Sequence, residues 1–183
     1  MRKQIFSGIF TLALLTVGFF SLSAQTNTAV TTVNITLADV IAIDQTQSAA
    51  AGGTVDFAYN TAEDYNSDQT QNVPTSLVVT STNNFNITVK ANGANFVSGS
   101  DNIPVDVLTI KPVTGSTTTM EGNFSDVILS TTDQTLISDA DLGSQVVLEL
   151  DYHIPAAKSS SSDILGKPAG TYTQMVTYTA TAQ

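Results

Sequence analysis

A strict alternation of apolar and polar residues, repeated along most of the chain, is the feature that most limits what this sequence can fold into. Side chains of a β-strand point in turn to the two faces of a sheet, so a period of two residues predicts strands with one buried face. Shorter alternating runs begin at Val33, Val55, Phe85 and Tyr172. The longest run consists of Val146, Leu148, Leu150, Tyr152 and Ile154.

Three short apolar runs, at residues 77–80, 105–110 and 127–130, indicate strands that are buried on both faces. Gly-, Asn- and Pro-containing turn signals separate the runs, and no segment has a sustained apolar period of 3.6 residues. The pattern predicts an all-β chain, a single antiparallel immunoglobulin-like β-sandwich of about 7–9 strands. A closed barrel is the alternative, because alternation alone does not distinguish the two.

The first 24 residues have the parts of a secretory signal peptide. Arg2 and Lys3 precede an uncharged apolar run, which ends in the small and polar residues 21–25. We expect cleavage after Ala24, with cleavage after Ser23 as the alternative, and a β-sandwich domain over residues 25–183. No membrane span is then expected after cleavage, and the predicted location is secreted or at the cell surface, in a bacterium.

The expected mature chain is strongly acidic and lacks cysteine. Its basic residues are four lysines, against sixteen acidic residues, so it is more acidic than the net charge of −10 of the whole sequence. Such a surface repels phosphate backbones and anionic lipids, which argues against nucleic-acid and membrane-surface binding. Without cysteine there are no disulfides and no thiolate metal sites, so stability must come from an apolar core.

Catalytic patterns are weak in this sequence. His153 is the only histidine, and the alternation places it on the outer face of its strand. A nucleophile–base arrangement needs a buried histidine that is oriented by a carboxylate. Glu149 and Asp151 are a carboxylate pair of the kind used in glycoside hydrolysis, but they also lie on the outward face of that strand. We therefore predict a protein that is not an enzyme and uses no cofactor.

One loop resembles the opening of a calcium-binding loop. Asp64, Asn66 and Asp68 alternate as spaced oxygen ligands, which suit a hard cation. Gln69 stands where the tight turn of such a loop needs glycine, and Thr75 where the bidentate glutamate belongs. An ordinary polar turn is the favoured interpretation, and calcium binding through another loop geometry stays open.

The two ends of the expected mature chain are both alternating strands. Val33, Ile35 and Leu37 follow the predicted cleavage site closely, so residues 25–43 could serve as a donor or edge strand. Gly170 and Tyr172 open a C-terminal strand in which Val176 and Tyr178 share a face. This closing segment resembles that of secreted fimbrial domains, both chaperone–usher pilins and spore coat protein U-like domains. The penultimate aromatic residue and the cysteine pair common in those domains are absent.

The resemblance implies a sandwich whose edge is completed by a strand from a neighbouring subunit, with the chain itself or related subunits as partners. The predicted function is a fimbrial or pilus-like structural or adhesion subunit that assembles by β-strand addition. The alternative is a monomeric extracellular binding module for a glycan, calcium or a host protein. The two differ in whether residues 33–37 complete their own sandwich or that of a neighbour.

Overall fold

The computed structural model describes residues 30–50 and 52–183, and the predicted signal peptide lies outside this range. Residues 37–183 form one compact unit. In the described part no helix has the length and apolar character required to cross a bilayer. The strands of this part are β1 Ile41–Ile43, β2 Gln69–Ser81, β3 Phe85–Ala91, β4 Asn95–Ser98, β5 Asp101–Pro104, β6 Thr109–Val113, β7 Asn123–Phe124, β8 Val127–Ile128, β9 Gln134–Ala140, β10 Gly143–Ile154 and β11 Val176–Ala182.

These strands form two principal sheets and one hairpin, and all the pairings are antiparallel. The five-stranded sheet has the order β1-β2-β10-β6-β8, and the four-stranded sheet has the order β11-β3-β9-β7. β4 and β5 form the separate hairpin. The prediction of an all-β antiparallel fold is confirmed, and its two separate sheets make it sandwich-like. The only α-helix in the described residues is the single turn Ala156–Ser159, α1.

The core consists of the inward faces that the alternation predicts. Along β3 every second residue is buried, from Phe85 to Ala91. Leu148, Leu150, Tyr152 and Ile154 of β10 are buried in the same way. Both strands lie inside their sheets, with a hydrogen-bonded neighbour on each side, so their apolar faces meet the opposite sheet.

Two predicted strands are not strands in the structure. The run from Val33 to Ile43 forms a strand only over Ile41–Ile43, and residues 30–40 have no regular secondary structure. Residues 53–60 also lack it, although Val55, Phe57 and Tyr59 have the predicted alternate burial. A strand requires hydrogen bonds from a neighbouring backbone as well as alternating side chains, and among the described residues neither 30–39 nor 53–60 has backbone bonds to another segment.

Smaller differences have local causes. Val105–Val107 forms one turn of 3-10 helix where a strand was predicted, and the backbone N–H of Leu108 donates to the carbonyl of Val105. The C-terminal strand begins at Val176 and not at Tyr172. Of the residues between them, Thr173 makes one isolated bridge, to Val97 of the β4–β5 hairpin.

Candidate functional site

Segment 30–37 carries exposed apolar side chains in an alternating pattern. The exposed fractions are 92% for Val30, 78% for Val33, 82% for Ile35 and 87% for Leu37. Asn34 and Thr36, which separate them, are exposed as well. Exposed aliphatic side chains are common one at a time, but a regular series of them is unusual and marks a surface able to contact another chain.

Segment 53–59 has the side-chain arrangement of a strand but not its backbone hydrogen bonds. Val55, Phe57 and Tyr59 are half-buried and pack against the core, and the residues between them are exposed. Among the described residues, no hydrogen bond joins the backbone of residues 53–59 to another backbone group. Within the described residues this segment is therefore attached to the sandwich by its side chains, and its peptide groups have no backbone partner there.

Both ends of segment 53–59 are fixed. At its start, Gly52 has a φ of 106°, and a Cβ on Gly53 would lie 1.8 Å from the carbonyl oxygen of Ala49. A side chain is therefore excluded from this turn. At its end, the hydroxyl of Tyr59 lies 2.9 Å from the hydroxyl of the buried Ser159, and the ring centroids of Tyr59 and Tyr65 are 4.9 Å apart.

The edges of the two sheets meet at a seam between β1 and β11. A cavity of about 210 Å³ opens there, lined by side chains of both edges and by Leu77. Val176 and Tyr178 of the C-terminal strand line it from one side, and Ile43 and Ala50 line it from the other. The predicted C-terminal assembly residues thus lie at an edge of the sandwich, where β11 pairs only with β3 among the described strands.

Two tyrosines connect the sheets beneath this seam. The hydroxyls of Tyr152 in β10 and Tyr178 in β11 are 2.8 Å apart, and Tyr152 also contacts the hydroxyl of Ser76 in β2 at 3.3 Å. Burial raises the pKa of Tyr152 and raises that of Tyr178 well above the usual tyrosine value, with the neighbouring Tyr152 adding to the latter shift. Both phenols stay protonated and serve as hydrogen-bonding groups.

Gly170 and Tyr172 precede β11 and contact other elements. A Cβ on Gly170 would lie 2.8 Å from the hydroxyl oxygen of Ser98, so glycine permits a close approach to the β4–β5 hairpin. The hydroxyl of Tyr172 donates to the carbonyl of Pro168 at 2.9 Å. These two residues position the lead-in to the C-terminal strand and lie outside its hydrogen-bonded part.

The candidate calcium ligands take part in separate turn interactions. A carboxylate oxygen of Asp64 accepts the backbone N–H groups of Thr61 and Asn60, which lower its pKa. The side-chain amide of Asn66 donates to the carbonyl of Ala62, and Asp68 accepts the backbone N–H of Ala156. Within residues 30–50 and 52–183 no group of three or more His, Cys, Asp or Glu residues is placed to hold a metal ion.

The outward residues of β10 also have structural partners. Glu149 is only 5% exposed although it lies on the outer side of its strand, because the loop of Thr117 covers it. The Thr117 hydroxyl and the Asn72 amide donate to its two carboxylate oxygens, and these donors lower the pKa of Glu149 to about 2. Nδ1 of His153 lies 2.9 Å from the hydroxyl of Thr70 on the neighbouring strand.

Two of these features could not be fully predicted from the residues alone. The tyrosine pair joins residues far apart in the chain, and no local pattern reports such a contact. Segment 53–59 was recognised by its alternation, but its unpaired backbone depends on the position of other strands.

No family model matches this chain, and no curated protein or solved structure matches it.

Proposed function

We propose that this chain is a non-catalytic exported surface protein, a fimbrial or pilus-like structural or adhesion subunit that assembles by β-strand addition. Segment 30–37 of one copy acts as the donor strand for another copy. The observation that carries the proposal is the exposure of Val33, Ile35 and Leu37, at 78%, 82% and 87%, in a segment without secondary structure.

Energetics support a donor role for this segment. Full burial of an aliphatic side chain such as Val, Ile or Leu contributes about 1.5–3 kcal/mol relative to its exposed state. Strand addition would bury the three side chains together and would satisfy peptide groups along the whole segment. In a free monomer the same side chains remain in water.

The distribution of charge also supports this role. Residues 25–38 carry no charged side chain, whereas all sixteen acidic residues of the chain lie beyond them. Two acidic bodies repel each other on approach. A neutral segment is the part of this chain that can contact a second copy with the least repulsion.

A strand-adding protein also requires a sheet edge, and the C-terminal strand lies at one. β11 is the outer strand of its sheet, and its Val176 and Tyr178 line the seam cavity. This strand pairs with β3 in an unbroken register from Val176 to Ala182. The alternative, a monomeric binding module, has no comparable support, because the candidate calcium ligands are engaged in turns.

The test is the assembly state of the full chain expressed for export. One variant replaces Val33, Ile35 and Leu37 with serine, and the matched control replaces Asn34 and Thr36 with serine on the opposite face. Size-exclusion chromatography and negative-stain microscopy should show oligomers or filaments for the wild type and the control, and monomers for the triple variant.

Two results would contradict the proposal. A wild-type protein that stays monomeric at high concentration would favour the binding module, for which calorimetry with calcium and with glycans is the next measurement. A triple variant that no longer folds would show that residues 33–37 complete their own sandwich. Thermal melting of the monomer separates this second result from a specific loss of assembly.

A further inference from the structure

Segment 53–59 combines the side-chain pattern of a strand with a backbone that is unpaired in the described part of the chain. No backbone group of residues 53–59 bonds to another described backbone group, whereas the following amide, of Asn60, donates to the carboxylate of Asp64. The alternate burial of Val55, Phe57 and Tyr59 is the side-chain arrangement of a β-strand. A segment with this arrangement and no backbone partner is a template for another strand.

The other edges offer less backbone. β1 has three residues, and the outer strands β7 and β8 have two each. β11 is longer, but β1 lies against it at the seam. Segment 53–59 is comparable in length to segment 30–37 and has the same two-residue period.

Segment 53–59 is also preorganised for pairing. The glycine turn at Gly53 and the contacts of Tyr59 with Ser159 and Tyr65 hold the two ends of the segment. Little conformational entropy is therefore lost when a partner strand binds. Val55 and Phe57 are half-buried and leave apolar surface at the rim of the core. A strand added alongside would place its own alternate side chains over this rim.

We propose that segment 53–59 is the acceptor on which segment 30–37 of a second copy adds as a strand. Val33, Ile35 and Leu37 extend the apolar face of Val55 and Phe57, and Asn34 and Thr36 lie on the outer face with Asp56 and Ala58. The donor is neutral, so Asp56 faces no like charge across the pair. This inference rests on the proposed function and specifies its receiving surface.

Disulfide trapping between two copies tests the pairing, and the cysteine-free chain provides a clean background. One full-length copy carries Asn34→Cys or Thr36→Cys, and a second copy with a size tag carries Asp56→Cys or Ala58→Cys. A disulfide requires Cα atoms about 4.4–6.8 Å apart, a distance that paired strands provide for residues on one face. The two copies are mixed under mild oxidation, and mixed dimers are quantified on non-reducing gels.

Two controls make the result specific. Ile35→Cys is the donor control, because its side chain belongs to the inner face. Thr179→Cys is the acceptor control, because it is exposed on β11. We expect Asn34→Cys to bond to Asp56→Cys or Ala58→Cys about tenfold faster than to Thr179→Cys, since strand pairing holds the thiols at a high effective concentration. Ile35→Cys should bond poorly to either position.

Each other outcome has a definite meaning. Preferential bonding to Thr179→Cys would overturn segment 53–59 as the acceptor and would leave assembly by strand addition intact, with β11 as its edge. Equal bonding from Asn34→Cys and Ile35→Cys would overturn strand pairing at this surface. An absence of mixed dimers at all positions, in a mixture that stays monomeric, would contradict both proposals. All the replaced acceptor residues are exposed, and melting under reducing conditions verifies their folding.

Discussion

β3 and segment 53–59 have the same alternating sequence pattern and the same alternate burial, but they are held in different ways. β3 lies between β11 and β9 and is hydrogen-bonded to both. Segment 53–59 has no backbone bond to the rest of the described chain and is attached by the side chains of Val55, Phe57 and Tyr59. The difference shows that alternation determines which face of a segment turns inward, whereas the neighbouring backbones determine whether it becomes a strand.

Hydrogen exchange should give the largest contrast between these regions. The amides of β3 should exchange only when the sandwich opens, several orders of magnitude more slowly than the amides of residues 54–59 in the monomer. Exchange measured by NMR or mass spectrometry tests this expectation. Slow exchange in residues 54–59 of a monomer would show that their backbone has a partner within its own chain.

Shortening a buried side chain of β3 should have the largest effect on the free energy of unfolding. Ile87 is completely buried, so we expect Ile87→Ala to lower the free energy of unfolding by about 2–5 kcal/mol. Denaturant titration of the monomer measures this value. A cost below about 1 kcal/mol would mean that β3 is not a central part of the core.

Shortening a side chain of segment 53–59 should lower the free energy of unfolding less, although Phe57 is larger than Ile87. Phe57 is half-buried and its surroundings can relax toward solvent, so Phe57→Ala should lower the free energy of unfolding by about 1–2 kcal/mol. Asp56→Ala, on the exposed face, is the matched control and should change stability little. If Phe57→Ala costs as much as Ile87→Ala, the segment belongs to the core as fully as β3 does.

The smallest expected effect is a change of stability with pH. It concerns a loop that is attached neither by a backbone ladder nor by apolar side chains but by hydrogen bonds to a carboxylate. The loop of Thr117 is held to β10 through Glu149, whose pKa in the folded protein is about 2, below the usual value of 4.5. Because folding lowers this pKa, the carboxylate stabilises the fold above about pH 4.5 and loses this contribution as the pH falls toward 2.

Comparison of wild type with Glu149→Gln tests this expectation. Their difference in melting temperature should be largest near neutral pH and should shrink between pH 4.5 and 2. The cost of Phe57→Ala should not change over that interval, since segment 53–59 is attached by apolar side chains. A difference between wild type and Glu149→Gln that is independent of pH would contradict the role of the charged carboxylate.

The same comparison indicates how far the sequence predicts this molecule. The inward faces of β3 and β10 follow from alternation alone, and so does the all-β antiparallel class. β9 was not predicted, because Leu136 and Ile137 are adjacent and both buried, which obscures the two-residue period. The β4–β5 hairpin was missed as well, although Gly99, with a φ of 60°, lies in the turn between its strands.

The candidate site was less predictable than the fold. The chemical character of segment 30–37 is visible in its residues, but its exposure depends on how the rest of the described chain packs, which no local pattern encodes. The burial of Glu149 was unexpected for the same reason, since the covering loop is brought to β10 by tertiary contacts. Sequence periodicity describes each segment by itself, whereas these features depend on contacts between segments that are distant in the chain.

The hydroxyl contact between Tyr152 and Tyr178 has a mechanical consequence. It joins the terminal strand of one sheet to the central strand of the other, over a distance of 2.8 Å. A pulling force applied to β11 is therefore shared between the ladder to β3 and this hydrogen bond to β10. Tension along the chain end would load both layers of the sandwich at once, and peeling of β11 would require rupture of that link as well as of its ladder.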